Sequence, residues 1–445
     1  MHYDNKQLTE GDINLSADRQ SWNDSLDRET KDLLERDANV FLHQSMSTPC
    51  IDVLSSCKGN FIKTISNHTY FDFHGNSVHQ LGYGNPEIIS SIKCQLDELP
   101  FSPRRFTNMP AIECAEKITS LLPGGLNRVL FAPSGAAVIS MAIKLARIVT
   151  GKYKMISFWD SFHGANLDTI SAGGEAVFRQ NIGPLIPGTE HVPPPTTYRG
   201  LFDNEMKYAD YFEYVAEKEG DIGIFLAEPI RNTDVQIPSK NYWMRIREIC
   251  DKYNIVLIFD EIPLALGRTG RMFAFEHFGV TPDILCLGKG LGGGVIPFAA
   301  MIAREDYNVA KNISLGHYTH EKSPLGSIAA LASFDYIEKH NLLDRVTQRE
   351  QQMQQIMNVL YEKYPIIGDV RGKGLLWGVE LVENRKTKTK AIKQAERILY
   401  NCLKNGLSFK ISQGNVIQLC PPLTISEAEL ELAMKILENA LLETI

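Results

Sequence analysis

No apolar run in the chain is long enough to span a bilayer. The longest nearly uncharged one, Leu291–Ala303, is rich in glycine and falls well short of the roughly 20 residues a transmembrane helix needs. The first ten residues are polar and lack the apolar centre of a secretory signal. A basic excess is also missing: 46 Lys and Arg stand against 53 Asp and Glu, net −7, with no long block of either sign. A phosphate backbone is bound through a basic stripe, so nucleic acid is excluded as the expected partner. The eight cysteines include no C-x-x-C pair, and His317 with His320 has no second Cys/His pair to complete a zinc site. Internal repeats and low-complexity tracts are absent. These absences leave a cytoplasmic enzyme with reduced thiols, no metal and no membrane partner as the expected class.

The 445 residues are 44% hydrophobic and 22% charged, enough apolar material for a large core. Residues 1–40 are polar, with helical patterning near 24–34, and read as a surface arm. Residues 58–73 alternate apolar and polar about Ser66-Asn67-His68, which predicts a β-hairpin. From about residue 85 amphipathic helices alternate with short apolar runs at 128–132, 154–158, 222–227, 255–259, 284–287 and 299–302. Such runs are what a mainly parallel sheet covered on both faces requires. A long helical pattern follows Ser323-Pro324 to about Tyr361, then a strand-rich piece (370–381 and 407–419) and a last helix at 426–442. The expected class is α/β. An N-terminal arm and hairpin (1–75) belong with a small domain, a large domain covers 76–325, and a smaller α+β domain covers 326–445.

Two segments carry the chemistry: IVLIFDEIPLALGRTG (255–270) and PDILCLGKGLGGG (282–294). Asp260 ends one apolar strand, and ligands of open α/β sheets sit at the carboxyl ends of strands. Lys289 follows another and is surrounded by Gly288, Gly290 and Gly292–Gly294. A lysine pressed onto glycine backbone at a strand end is placed for Schiff-base chemistry. Read singly, Asp260 is equally a helix N-cap and Lys289 a solvated loop residue. A Walker-type phosphate loop does not fit, because Gly290 stands where Ser or Thr is needed. A nicotinamide fingerprint does not fit either, because the glycines follow the lysine. Ser134-Gly135-Ala136 opens a helix whose free amides can take an anion, and Phe162, beside His163, is able to stack on a flat ring.

Together these motifs closely resemble the class III aminotransferase family of fold-type-I enzymes that use pyridoxal 5′-phosphate (PLP). The resemblance extends through YFDFHGNSVHQLGYGNP (70–86), Phe162-His163-Gly164, Ala227-Glu228-Pro229, Tyr318-Thr319 and Cys420-Pro421-Pro422-Leu423. It implies a large domain built on a mainly parallel sheet of the seven-stranded type. It implies that Lys289 carries the cofactor and shuttles protons, and that Asp260 pairs with the pyridine nitrogen. Ser134, Gly135 and Ala136 would form the phosphate cup, and Phe162 and Ile262 would flank the ring. His163 and Glu228 would also line the cofactor. Thr319 would reach the phosphate of a neighbouring subunit, which implies a homodimer, with a tetramer as the larger option.

The departures from the family bear on the reaction. Gln418 stands where its amino-acid transaminases carry a carboxylate-binding arginine, and Thr233 where they carry the glutamate that neutralises it. Losing both together avoids an unpaired charge. Pro263 replaces the usual glutamine, and Ala137 and Ser140 replace two glutamates of the helix after Ser134. Arg104 and Arg105, set between prolines in LPFSPRRFTN (99–108), are able to grip a dianion, with Arg231 in support. Bonding to local surface carboxylates is the alternative for that pair. The segments LPFSPRRFTN, SFWDSFHGA and EHVPPPTTYRG are most similar to a branch of lyases acting on (R)-1-hydroxy-2-aminoethylphosphonate. The expected substrate is therefore a small aminophosphonate. An ω-aminotransferase using 2-aminoethylphosphonate or another amine with pyruvate is the rival reading, and an inactive protein of the same fold is a second.

Overall fold

The computed structural model describes residues 16–44 and 50–444. The expectation for the polar first ten residues therefore lies outside the described residues. The chain forms two compact units: Ser77–Leu81 with Pro86–Asp344, and Met1–Asn76 with Gly82–Asn85 and Arg345–Ile445.

The first unit is built on a seven-stranded sheet. Across it the strands run Leu126–Ala132, Ala299–Arg304, Ile284–Leu287, Val256–Asp260, Ile222–Ala227, Lys154–Phe158 and Thr189–Val192. Ala299–Arg304 is antiparallel to both neighbours, and the other adjacent pairs are parallel. Every residue of Ile222–Ala227 and Val256–Asp260 is buried. That is why these strands read as unbroken apolar runs: a parallel strand covered on both faces has no solvent side to alternate toward. The Gly135–Thr150 helix covers one face, burying Val138, Met141, Ala142 and Leu145 in the main core. Val138, Met141 and Leu145 each contribute about 1.5–3 kcal/mol by this burial. Ser134 caps the start of this helix, and Gly151 ends it in the left-handed region (φ 67°).

The second unit holds two sheets. One pairs Leu54–Lys58, Phe61–Thr64, Thr69–Asp72 and Leu407–Ser408; its hairpin turns at Asn67 (φ 66°), as the alternation predicts. The other orders Ile367–Lys373, Leu376–Asn384, Val416–Leu419 and Lys410–Ser412, with Thr389–Lys390 added on Leu376–Asn384.

The structure differs from the expectations at four points. The polar arm is not merely superficial, because the Ala17–Ser25 helix buries Trp22 against Tyr400 (ring centroids 6.0 Å apart), and Trp22 Nε1 donates to the Ile51 carbonyl at 2.8 Å. The long helical pattern after Pro324 is two helices, Pro324–Lys339 and Leu342–Lys363, separated where Asn341 takes φ 49°. The first of these packs on Pro86–Glu98 and Met109–Ser120 within the large unit, so that unit runs to Asp344, past the boundary read at 325. The strand-rich tail also contains an amphipathic helix, Ile392–Lys404, whose buried face carries Ala395, Ile398, Leu399, Cys402 and Leu403. Among the described residues no helix is long and apolar enough to cross a membrane.

Candidate active site

Asp260 ends its strand buried at the carboxyl edge of the sheet. Its Oδ2 accepts from Nδ1 of His163 at 2.8 Å, and its Oδ1 accepts the Ile262 amide at 3.1 Å. The carboxylate acceptor sets the Nδ1–H tautomer of His163, whose Nε2 faces Ser157 Oγ at 3.5 Å. Two anchors fix the carboxylate plane and leave lone pairs for a third donor, since an ionised carboxylate has about four acceptor sites.

Lys289 opens a 3-10 turn, Lys289–Gly292, with φ 47°. A non-glycine residue in the left-handed region is strained and is held there by its surroundings. Those surroundings are tight. A Cβ added at Gly290 would lie 1.8 Å from Gln80 Oε1, and one at Gly288 would lie 3.2 Å from Ile262 Cγ2. On the other side of Ile262, a Cβ at Gly135 would lie 2.7 Å from its Cδ1. Ile262 thus bridges the lysine turn and the helix start. Glycine at both positions allows these approaches without displacing Ile262.

At that helix start the Ala137 amide goes to Ser134 Oγ at 3.2 Å and the Val138 amide to the Ser134 carbonyl at 3.3 Å. Ser134 is thereby committed to capping. The Gly135 and Ala136 amides, with no such partner among the described residues, are the ones available to an anion.

Glu228 follows the Ile222–Ala227 strand and is buried at 6% exposure. Its Oε1 accepts the Asn232 amide at 3.2 Å, while its Oε2 has no hydrogen-bond partner among the described residues. Burial, and then the charge of Asp260, push this carboxyl up to about 8, against the opposing pull of the Asn232 amide, Lys289 and Arg231. Next to Asp260, Glu261 faces away into structure: its two oxygens accept the Ala274 and Phe275 amides, each at 2.7 Å.

A flat, phosphorylated, cationic ring fits these groups. An anion-ready pair of amides, an apolar wall at Ile262, a twice-anchored carboxylate and a strained lysine converge on one end of the sheet, with an orphaned carboxyl oxygen on Glu228 beside them.

Other predicted residues lie apart from this convergence or are otherwise engaged. Phe162 is half-buried, with its ring 4.5 Å from that of Phe178. Arg231 is buried and clamped by Asp234 through Nε–Oδ1 (2.5 Å) and Nη2–Oδ2, while Gln236 Nε2 donates to the same carboxylate at 2.9 Å. The sequence signal was present in the i, i+3 spacing of opposite charges, and the reading missed Asp234. Arg104 is half-buried, with Nε 3.7 Å from Glu321 Oε1, and Arg105 is exposed. A pair this exposed contributes about 0–1 kcal/mol, so a dianion is able to displace it. Thr319 is exposed on the loop that carries Glu321. Gln418 is buried in the second unit's Val416–Leu419 strand, paired with Gly378 and Lys410.

The family model for class III aminotransferases matches residues 43–441. The (R)-1-hydroxy-2-aminoethylphosphonate ammonia-lyase of Vibrio splendidus (strain 12B01) is 55% identical, covering 97% of this chain and 95% of its own. The leucine/methionine racemase of Thermococcus litoralis is 33% identical over 92% of this chain and 95% of its own. Among solved structures, the ω-transaminase of Pseudomonas jessenii in complex with PMP superposes with a TM-score of 0.87 at 26% identity, covering 93% of this chain and 98% of that one. A lyase, a racemase and a transaminase thus share this architecture, so the fold alone does not select the reaction.

Proposed function

Because the chain belongs to the class III aminotransferase family, we propose that it is a PLP-dependent lyase acting on (R)-1-hydroxy-2-aminoethylphosphonate. It removes water and then ammonia and yields phosphonoacetaldehyde. The observation that carries this reading is the 55% identity, over 97% of the chain, to a lyase of that name. The exchange of a paired arginine and glutamate for Gln418 and Thr233 supports it. A transaminase binds a carboxylate acceptor in its second half-reaction, whereas a lyase has no second half-reaction.

When bound, PLP supplies an electron sink for the carbon that bears the substrate nitrogen. Lys289 Nζ would anchor the cofactor and take the proton from that carbon. The Asp260 carboxylate would hold a proton on the ring nitrogen, with His163 fixing the carboxylate's orientation. The Gly135 and Ala136 amides would hold the phosphate, and Ile262 would flank the ring. We place the working unit at a cytoplasmic homodimer in which exposed Thr319 serves the neighbouring site.

Phosphorus NMR of the products tests the reading. Phosphonoacetaldehyde is expected from the hydroxylated aminophosphonate and not from 2-aminoethylphosphonate alone. Aldehyde formation only from the latter, and only with pyruvate present, would favour the ω-aminotransferase.

The same reading assigns the phosphonate to Arg104 and Arg105. A dianion gripped by a guanidinium gains about 1.5–3 kcal/mol per charge-assisted contact, so Arg104→Ala and Arg105→Ala are each expected to raise KM about ten- to hundredfold. PLP content should stay unchanged. Unaltered steady-state kinetics in both variants would leave Arg104 with its surface partner Glu321 and Arg105 as an exposed residue.

A further inference from the structure

The lyase reading leaves one requirement open: hydroxide is a poor leaving group, and its departure needs a proton donor. We propose that Glu228 is that general acid, its Oε2–H protonating the hydroxyl as it leaves. This rests on the lyase reading and adds to it a group that the family motif does not assign to proton transfer.

Position is the first argument. Ala227 is in register with Phe259 on parallel strands, so the next residues, Glu228 and Asp260, stand side by side where the two strands end. Registered neighbours of adjacent strands project to the same face. Glu228 is therefore placed beside the carboxylate that would face the ring nitrogen, and the charges of both Asp260 and Lys289 act on it. Orientation is the second argument. Oε1 is tethered to the Asn232 amide, so Oε2 is the working end, and it is buried without a protein partner among the described residues. A buried polar atom left unpaired is destabilising, and the cost is offset when a substrate group pairs with it. The loop beyond is rigid, because Arg231 and Asp234 clamp each other and the Arg231 and Gln236 backbones bond in both directions at 2.9 and 3.2 Å.

Elimination is the third. Nδ1 of His163 is committed to Asp260, Ser134 to its helix and both oxygens of Glu261 to amides. Lys289 is engaged in taking the carbon proton. Burial and the neighbouring negative charge keep Glu228 protonated at neutral pH, as an acid requires.

The step balances. Lys289 Nζ takes the proton from the carbon bearing nitrogen, and the electron pair of that bond becomes the second bond between the two substrate carbons. The carbon–oxygen bond breaks with its pair on oxygen, the oxygen takes the Oε2 proton, and water leaves. Glu228 then recovers a proton from the Lys289 ammonium, so both groups end as they began. The released enamine takes up one water and gives the aldehyde and ammonia. Nothing is oxidised or reduced.

The test compares leaving groups on the PLP-loaded protein, using the hydroxylated substrate and its 1-chloro analogue, since chloride leaves without a proton. Glu228→Gln is expected to lower kcat on the hydroxyl compound about 10²–10⁴-fold and on the chloro compound less than about tenfold. The absorption spectrum of bound PLP should be unchanged. Deuterium exchange at the amine-bearing carbon of 2-aminoethylphosphonate in D₂O should continue. Equal losses on both substrates, or loss of exchange, would mean that Glu228 only positions the cofactor; undiminished kcat on the hydroxyl compound would assign the acid to Lys289.

The wild-type protein gives an independent arm should that variant fail to fold. Among the charged groups around Glu228 — Asp260, Lys289 and Arg231 — all act alike on both substrates. The kcat of the hydroxyl compound should therefore fall as pH rises through the raised value of Glu228, whereas that of the chloro compound should not. An identical fall for both would overturn the proposal. If the wild-type protein does not turn over the hydroxyl compound at all, the lyase reading itself has failed, a distinct result.

Discussion

Lys289→Ala is expected to abolish turnover, with no detectable ammonia from any aminophosphonate. The proposed function gives the side chain two duties: the covalent hold on the cofactor and the removal of the carbon proton. Its strained backbone (φ 47°) and the glycine packing around it place the residue just past the end of the Ile284–Leu287 strand. Alanine keeps neither function but leaves the Gly135 and Ala136 amides in place, so the cofactor should still bind and then be lost on dialysis. Borohydride reduction of the wild-type protein followed by peptide mapping checks the assignment, because the label must appear at residue 289. A label on another lysine would remove Lys289 from the centre of the account.

Asp260→Asn is expected to preserve the fold and lower kcat by about a hundredfold or more. The variant is isosteric, and its Oδ1 is still able to accept the Ile262 amide. What disappears is the negative charge. A charge-assisted hydrogen bond is worth about 1.5–3 kcal/mol, which alone corresponds to about ten- to hundredfold. Loss of the ring proton weakens the electron sink further. Steady-state kinetics with a matched thermal melt make the measurement. Near-normal kcat in a folded, PLP-loaded variant would mean that the buried pair of Asp260 and His163 is only structural.

The large sheet was legible because physics leaves few alternatives for a strand covered on both faces. The runs read at 222–227 and 284–287 coincide with strands, while Thr189–Val192 was missed because Thr-Glu-His-Val at a sheet edge carries no apolar run. Trp22 shows the opposite failure: one aromatic in a polar stretch anchors the Ala17–Ser25 helix, and composition averages it away.

In the candidate site, the positions of Lys289 and Asp260 at strand ends and of Ser134-Gly135-Ala136 at a helix start follow from sequence pattern, because apolar runs and small capping residues mark those ends. The partners were not legible. Nothing in the sequence pairs His163 with Asp260, 97 residues apart, or leaves one oxygen of Glu228 unpaired, because both facts arise only on folding. Arg231, expected to support Arg104 and Arg105 at a dianion, is paired with Asp234 three residues on.

The most direct measurement is free ammonia from (R)-1-hydroxy-2-aminoethylphosphonate, with PLP-loaded protein and no keto acid, followed by the same reaction with pyruvate and an assay for alanine. The proposed lyase predicts ammonia equal to phosphonoacetaldehyde in the first reaction and little alanine in the second, because a lyase has no second half-reaction with a carboxylate acceptor. Stoichiometric alanine with pyruvate, and no ammonia without it, would contradict the lyase and identify a transaminase whose acceptor is held by other groups.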